Sequence, residues 1–209
     1  MKRMIFATAN EGKMKEIRAI LSDLDVELLS LKDAGLNPDI EENGSSFEEN
    51  AIIKARKVAE LTGEIVLADD SGLEVDYLNK APGVYSARFM GEDTPYSVKN
   101  QYIIDQLKGV EKEARSARFV CVIACAFPNG ETVTKRGTIE GLISDRICGS
   151  NGFGYDPIFY VPEYKCTTAE MLPEQKNEIS HRGKALRAMK ELLRKHFEYG
   201  ETEHEDSNR

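Results

Sequence analysis

The chain has 209 residues, 41% hydrophobic and 31% charged with only 7 prolines, which excludes fibrous and disordered classes and gives length enough for a substantial core. No apolar stretch approaches the roughly 20 residues that span a bilayer, and the opening Met1-Lys2-Arg3-Met4-Ile5-Phe6 breaks off too soon for a signal peptide, so the cytoplasm is expected. A net charge of -8 excludes a general affinity for nucleic-acid backbone, and any small anionic substrate has to be met by a local basic pocket.

Residues 4–7 form a short apolar run, a polar loop follows at Thr8-Ala9-Asn10-Glu11-Gly12-Lys13, and Met14, Ile17, Ile20 and Leu21 recur at helical spacing. Ser45-Ser46-Phe47-Glu48-Glu49 contains two overlapping capping boxes and opens a second helix, which runs through Ala51, Ala55, Val58 and Ala59 to a stop at Gly63. The apolar residues 65–68 read as a buried strand that stops on Asp69 and Asp70 and turns sharply at Ser71 and Gly72. Thr94 and Pro95 open a third helix, apolar at Val98, Tyr102 and Leu107 and closed by Gly109.

Residues 117–127 are long and β-rich, and Pro128-Asn129-Gly130 supplies a hairpin turn before residues 131–134. Residues 138–143 continue the sheet, and residues 158–161, between Pro157 and Pro162, form a short strand. Ser180 caps a last helix with a stripe of Ala185, Leu186, Met189 and Leu193. Residues 200–209 are acidic and polar without an apolar anchor and are expected to be disordered, leaving 1–199 as one domain. Interleaved helices and strands followed by a β-rich block predict an α/β fold with a mixed sheet and two lobes around a cleft. Cys121, Cys125, Cys148 and Cys166 show no Cys-x-x-Cys spacing, and Cys121 and Cys125 share strand parity as small reduced core residues.

Five segments carry chemistry. Adjacent carboxylates at Asp69 and Asp70 repel unless a cation, a proton or shared hydrogen bonds lie between them, and hard oxygen ligands on a partly open site favour Mg²⁺. The loop from Thr8 to Lys13 places backbone amides, a hydroxyl, an amide side chain and a lysine at a helix N-terminus, a cradle for phosphate; the alternative is plain capping by Thr8 and Asn10. Glu41 is a second candidate metal ligand, and Asn50 and Lys54 share one helix face. Gly152-Phe153-Gly154-Tyr155-Asp156 lets backbone approach a flat ligand, with Phe153 to stack on a nucleobase. Lys176, His181 and Arg182 are donors near another helix start, where cations are disfavoured unless an anion or ligand compensates.

Together the segments closely resemble the inosine triphosphate pyrophosphatase family, the Ham1-like nucleotide pyrophosphatases. The matching stretches are Ala7 to Lys13 with Glu16, Ser46 to Ala51 with Lys54 and Ala55, Ala68 to Leu73, Ala81 to Arg88, Gly152 to Pro157 and Ile179 to Ala185, in family order. The resemblance implies an elongated mixed β-sheet flanked by helices, two lobes with a central substrate cleft, and usually a homodimer. It also implies Mg²⁺-dependent hydrolysis of inosine, deoxyinosine and xanthosine triphosphates to the monophosphate and pyrophosphate. By position it implies that Thr8, Ala9, Asn10, Glu11, Gly12 and Lys13 bind phosphate, that Glu41 and Asp70 hold the metal and that Asp70 is the general base. Lys54, Ser71, Phe153, Gly154, Tyr155, Asp156, Lys176, His181 and Arg182 would contact substrate, and Asp69 either orients Asp70 or ligates directly. Ala9, and Asn79-Lys80 before Ala81-Pro82, depart from the family's usual glycines or asparagine. Two rival classes are an aspartic protease, on Asp70-Ser71-Gly72, and a non-catalytic nucleotide sensor, which needs no Asp70.

Overall fold

The computed structural model describes residues 2–206, with side chains to residue 198. One mixed sheet of seven strands has the order β2-β1-β3-β4-β5-β6-β7. Strand β1 (Lys2–Phe6) lies parallel to β2 (Val26–Ser30) and to β3 (Ile65–Val75), and the pairings from β3 through β4 (Ser116–Ala126), β5 (Thr132–Ile143), β6 (Phe159–Val161) and β7 (Cys166–Thr167) are antiparallel. The sheet is therefore mixed, with helices on both faces, as expected.

Helix α1 (Glu11–Ile20) and the terminal α5 (His181–Asp206) cover one face, where Met14, Ile17, Leu186 and Met189 meet Cys121, Ile123 and Cys125 of β4. Burial pushes the thiols of Cys121 and Cys125 up to about 12, so both are inert core groups at neutral pH. Helix α2 (Phe47–Thr62) covers the other face through Ala51, Ala55 and Val58 against Val66, Val122 and Ala124. Its ends follow the sequence: the Ser46 hydroxyl accepts from the Glu49 amide at 3.2 Å, and Gly63 closes the helix in the left-handed region at φ +69°. A third cluster packs α3 (Tyr96–Gln106) and the far ends of β3 to β6 around Leu73, Ile103 and Phe159.

Several expectations change. The hairpin at Asn129-Gly130 joins two single long strands, so residues 132–134 and 138–143 belong to one strand, β5, and Glu131 stays in the connection. Helix α3 buries Lys99, Asn100, Ile103 and Ile104 while Val98 and Tyr102 are exposed. Polar side chains take the inner face because each has a fixed partner: Lys99 Nζ donates to the Ala87 carbonyl at 2.7 Å and Asn100 Nδ2 to that of Gly154 at 3.1 Å. The acidic tail is helical to Asp206 in continuation of α5, an extension that costs less than starting a helix, and residues 207–209 lie outside those described. Ser180 caps α5 as expected, its hydroxyl accepting from the Gly183 amide at 3.0 Å.

The largest change concerns residues 69–72. No turn occurs there; β3 runs straight through Asp69, Asp70, Ser71 and Gly72, paired to Ile123, Val122, Cys121 and Val120 of β4. Gly72 is a glycine for close approach: a Cβ would stand 2.4 Å from the Gly83 carbonyl oxygen and 2.5 Å from Ser86 Oγ. On its other edge β3 pairs with β1 only at residues 65–67, so β1 ends where the two aspartates begin. The strand terminus that opens onto the site is that of β1, followed at once by the N-terminus of α1.

Candidate active site

Strand alternation sends the two aspartates to opposite faces of the sheet. Asp69, almost fully buried, points towards α1 and α5, where Lys13 Nζ lies 3.0 Å and Arg182 Nη2 3.3 Å from its carboxylate. Burial alone would raise its pKa; the charges of Lys13, Arg182 and Lys54 outweigh it and hold the carboxyl far below the usual range. Asp70 points towards α2, where Asn50 Nδ2 donates to Oδ2 at 3.2 Å and Lys54 Nζ stands 3.7 Å from Oδ1. Its pKa is raised, first by burial and then by Glu42 and Asp69, against the pull of Lys54 and Asn50. The expected repulsion between neighbouring acids is thus resolved by separation: Asp69 is spent in ion pairs, and Asp70 is the acid with unmet demand for positive charge.

Glu41 does not join it. It is exposed beside Ile53, Arg56 and Lys57, and the loop presents Glu42 instead, whose Oε2 accepts from Lys54 Nζ at 2.9 Å. Burial works against the Lys54 ammonium, but Asp69, Asp70 and Glu42 raise its pKa and keep it charged. Among the described residues no group of three or more His, Cys, Asp or Glu side chains is gathered as a metal cage. Two carboxylates converging on one ammonium suit a hard cation held by one or two protein carboxylates, its remaining positions taken by water and phosphate oxygens. Glu42 and Asp70 fit that description, and Glu41 does not.

The loop from Thr8 to Lys13 both caps and points. Asn10 Oδ1 accepts from the Lys13 amide at 3.0 Å and Thr8 Oγ1 from the Asn10 amide at 3.1 Å, while Ala9, Asn10, Glu11 and Gly12 remain exposed at the start of α1. A Cβ on Gly12 would come within 3.3 Å of the Phe153 ring, so this loop touches the aromatic one. Asn10, Lys13, Ser71, Phe153, Gly154, Tyr155, Asp156, Lys176, His181 and Arg182 line one cavity of about 290 Å³. Thr8, Ala9, Glu11, Gly12, Lys54 and Asp70 are not among its lining residues.

Within that cavity Asp156 is scaffold. Its Oδ2 accepts from the Phe153 amide at 2.8 Å and Lys176 Nζ at 2.7 Å, and its Oδ1 from Thr168 Oγ1 at 2.8 Å. Tyr155 is fixed by its hydroxyl donating to the Ser86 carbonyl at 2.7 Å. Phe153 is left partly exposed, with Lys176 Nζ 5.0 Å and the Arg182 guanidinium 5.5 Å from its ring centre. The anion expected to compensate the cations near the start of α5 is internal: Glu16 takes both Lys176, at 3.0 Å, and Arg182, which also reaches Asp69 and, at 3.2 Å, Ser71 Oγ. Burial would raise the Glu16 pKa, and Arg182 and Lys176 turn the balance and lower it. Glu16, Glu42 and Asn50 have contacts here that sequence alone does not assign, although Glu16 and Asn50 lie inside the matching stretches and Glu42 next to Glu41.

His181 stacks on Phe119 at 4.8 Å and stays neutral, its pKa held well below 6.5 by burial and by the charges of Arg182 and Lys176. Two buried nitrogens there, His181 Nδ1 and Arg182 Nε, have no partner within the protein. The depressed pKa carries a stability cost in acid, since the unfolded chain protonates His181 near 6.5 and the folded chain does not. The melting temperature is therefore expected to fall as pH drops from 7.5 towards 5.5, and to fall less in His181→Gln; parallel melting curves for both proteins would remove His181 as the cause.

A phosphate-type loop, acids on the two faces of one strand and an aromatic pocket with unpaired nitrogens define a nucleotide-site class of α/β protein. The chain belongs to the Ham1 family, whose model matches residues 4–192. It is 50% identical over 193 residues to a dITP/XTP pyrophosphatase of Bacillus licheniformis, covering 92% of this chain and 98% of that protein, and 47% identical to the dITP/XTP pyrophosphatase of Bacillus subtilis with the same coverage. The solved Ham1 proteins of Coxiella burnetii and Staphylococcus aureus superpose with TM-scores of 0.85 and 0.84, at 43% and 40% identity, over 93% of this chain and 100% of theirs. Family membership and the mid-strand position of Asp70-Ser71-Gly72 both oppose the aspartic-protease reading.

Proposed function

We propose that this chain hydrolyses deaminated purine nucleoside triphosphates, dITP, ITP and XTP, to the monophosphate and pyrophosphate, and so removes them from the nucleotide pool. The two-lobed cleft of the family corresponds in this reading to the cavity beneath Phe153. The observation that carries it is the pair of buried, unpartnered nitrogens on His181 and Arg182, two residues that line that cavity, together with the relatives' named substrates. Arg182 Nε is a donor only, and it suits the 6-oxo acceptor of hypoxanthine and xanthine; against the 6-amino group of adenine it would stay unpaired, a mismatch that discriminates strongly. Neutral His181 supplies a second polar contact, and Phe153 stacks on the base.

The triphosphate then runs from this pocket past the start of α1, where Thr8, the exposed amides of residues 9–12 and Lys13 receive its oxygens. Asp70, set between Asn50 and Lys54, accepts the proton of the attacking water. Lys54 and Lys13 stabilise the negative charge that gathers on the departing pyrophosphate. A Mg²⁺ ion held by Asp70 and Glu42 would supply charge neutralisation and water activation there. The cytoplasm and a homodimer belong to the same reading; among the described residues no helix is long and apolar enough to cross a membrane.

Pyrophosphate and orthophosphate released from dITP, ITP, XTP, GTP and ATP in Mg²⁺ are the test. Pyrophosphate from the first three is expected; intact dITP, or orthophosphate as the product, defeats the reading. In the same assay Glu42→Gln is expected to raise the Mg²⁺ concentration for half-maximal rate by about tenfold or more, while Glu41→Gln leaves it unchanged. The reverse ranking would return the metal to Glu41.

A further inference from the structure

We propose that a second cavity, of about 460 Å³ at the end of β5 remote from the hairpin, is an anion site for a small phosphate-bearing ligand. It shares no lining residue with the Phe153 cavity, and the inference is independent of the activity proposed above. Its wall carries Lys112, Arg115, Arg146 and Lys165 against only Asp145 and Glu170, an excess of positive charge in a chain whose net charge is -8.

Arg115 is the anchor of the argument. Its side chain is buried, and its Nε, Nη1 and Nη2 donate to the carbonyls of Ile143, Leu107 and Ser144 at 2.8, 2.9 and 2.9 Å. All three partners are neutral, and among the described residues no carboxylate forms an ion pair with it. A guanidinium has five N–H groups, so two remain beyond those three bonds. Arg182, the more deeply buried of the two, shows the usual arrangement, with Glu16 and Asp69 as counter-charges. A buried cation without a counter-ion is costly, and one that lines a cavity can recover that cost from a bound anion.

The surrounding groups are disposed for the same role. Lys112 Nζ lies 5.6 Å from the centre of the Tyr160 ring at the cavity wall. Lys165 sits in the turn between β6 and β7 with φ +54°, a conformation uncommon outside glycine, and its amide donates to the Pro162 carbonyl at 3.2 Å. Asp145 and Glu170 both act on Arg146, but Glu170 is also held by its own loop, where Oε2 accepts from the Thr167 amide at 2.8 Å and from Thr167 Oγ1 at 3.1 Å.

The test is a ¹⁵N amide titration of the full chain with inorganic phosphate, pyrophosphate and inosine monophosphate, each against sodium chloride at equal ionic strength. Saturable shifts are expected in residues 142–148 and 165–170. In the triple variant Lys112→Ala, Arg146→Ala, Lys165→Ala the affinity at those amides should fall at least fivefold, while shifts in residues 10–13 persist. Inorganic anions alone acting would mark the ligand as a free anion, and the monophosphate acting with added shifts around Tyr160 would mark it as a nucleotide. The site is refuted if those amides stay still whatever residues 10–13 do, if sodium chloride moves them equally, or if the triple variant binds as tightly as the wild type.

Discussion

Asp70→Asn is expected to lower kcat/KM on dITP by about 10³-fold, within the range that removal of a general base produces, while dITP binding measured by calorimetry persists. The side chain keeps its shape and its place opposite Asn50 and Lys54, so the loss reports proton acceptance and metal affinity rather than collapse of the pocket. Because burial already disfavours the Asp70 charge, the neutral amide is expected to melt no lower than the wild type at pH 7. Asp69→Asn should behave in the opposite way, since it strips Lys13 and Arg182 of a fully buried partner. Activity of Asp70→Asn within tenfold of wild type would move the base elsewhere, and a stable, inactive Asp69→Asn would move it next door.

The second large effect is structural in origin and functional in outcome. Arg182→Met leaves Glu16 and Asp69 facing one another's field with only Lys176 and Lys13 to hold them, and a broken buried pair of this kind costs about 3–5 kcal/mol. Denaturant unfolding should show a loss of that order, and the Phe153 cavity loses one of its two unpaired nitrogens at the same time. Adding Glu16→Gln should recover part of the stability without restoring selectivity for dITP over dATP. Should the single variant unfold at the same denaturant concentration as wild type, the network contributes nothing to the fold.

Much of this arrangement is legible in the chain because its signals are local. Ser46 and Gly63 bound α2 through caps that each need one residue type, and Asn129-Gly130 closes the hairpin as its turn chemistry requires. Legibility ends where a residue type has two uses. Asp-Asp-Ser-Gly reads as the end of a strand because glycine and serine favour turns, yet here Gly72 serves the approach of the Gly83 carbonyl and the strand continues. Glu41 and Glu42 lie in a loop with no period to say which one faces inward; only the reach of Lys54 decides it. In α3 the apolar stripe misleads because Lys99 and Asn100 outcompete Val98 and Tyr102 for the inner face by virtue of carbonyl acceptors far away in sequence.

The placement of the two acids on odd and even positions of one uninterrupted strand has a genetic corollary. A single codon inserted or deleted just ahead of Asp69 would swap their sides, pressing the ionised partner of Lys13 and Arg182 against α2 and turning the partner of Asn50 into the cationic nest. Changes of length there can survive only in steps of two, whereas the surface connections between elements carry no such arithmetic.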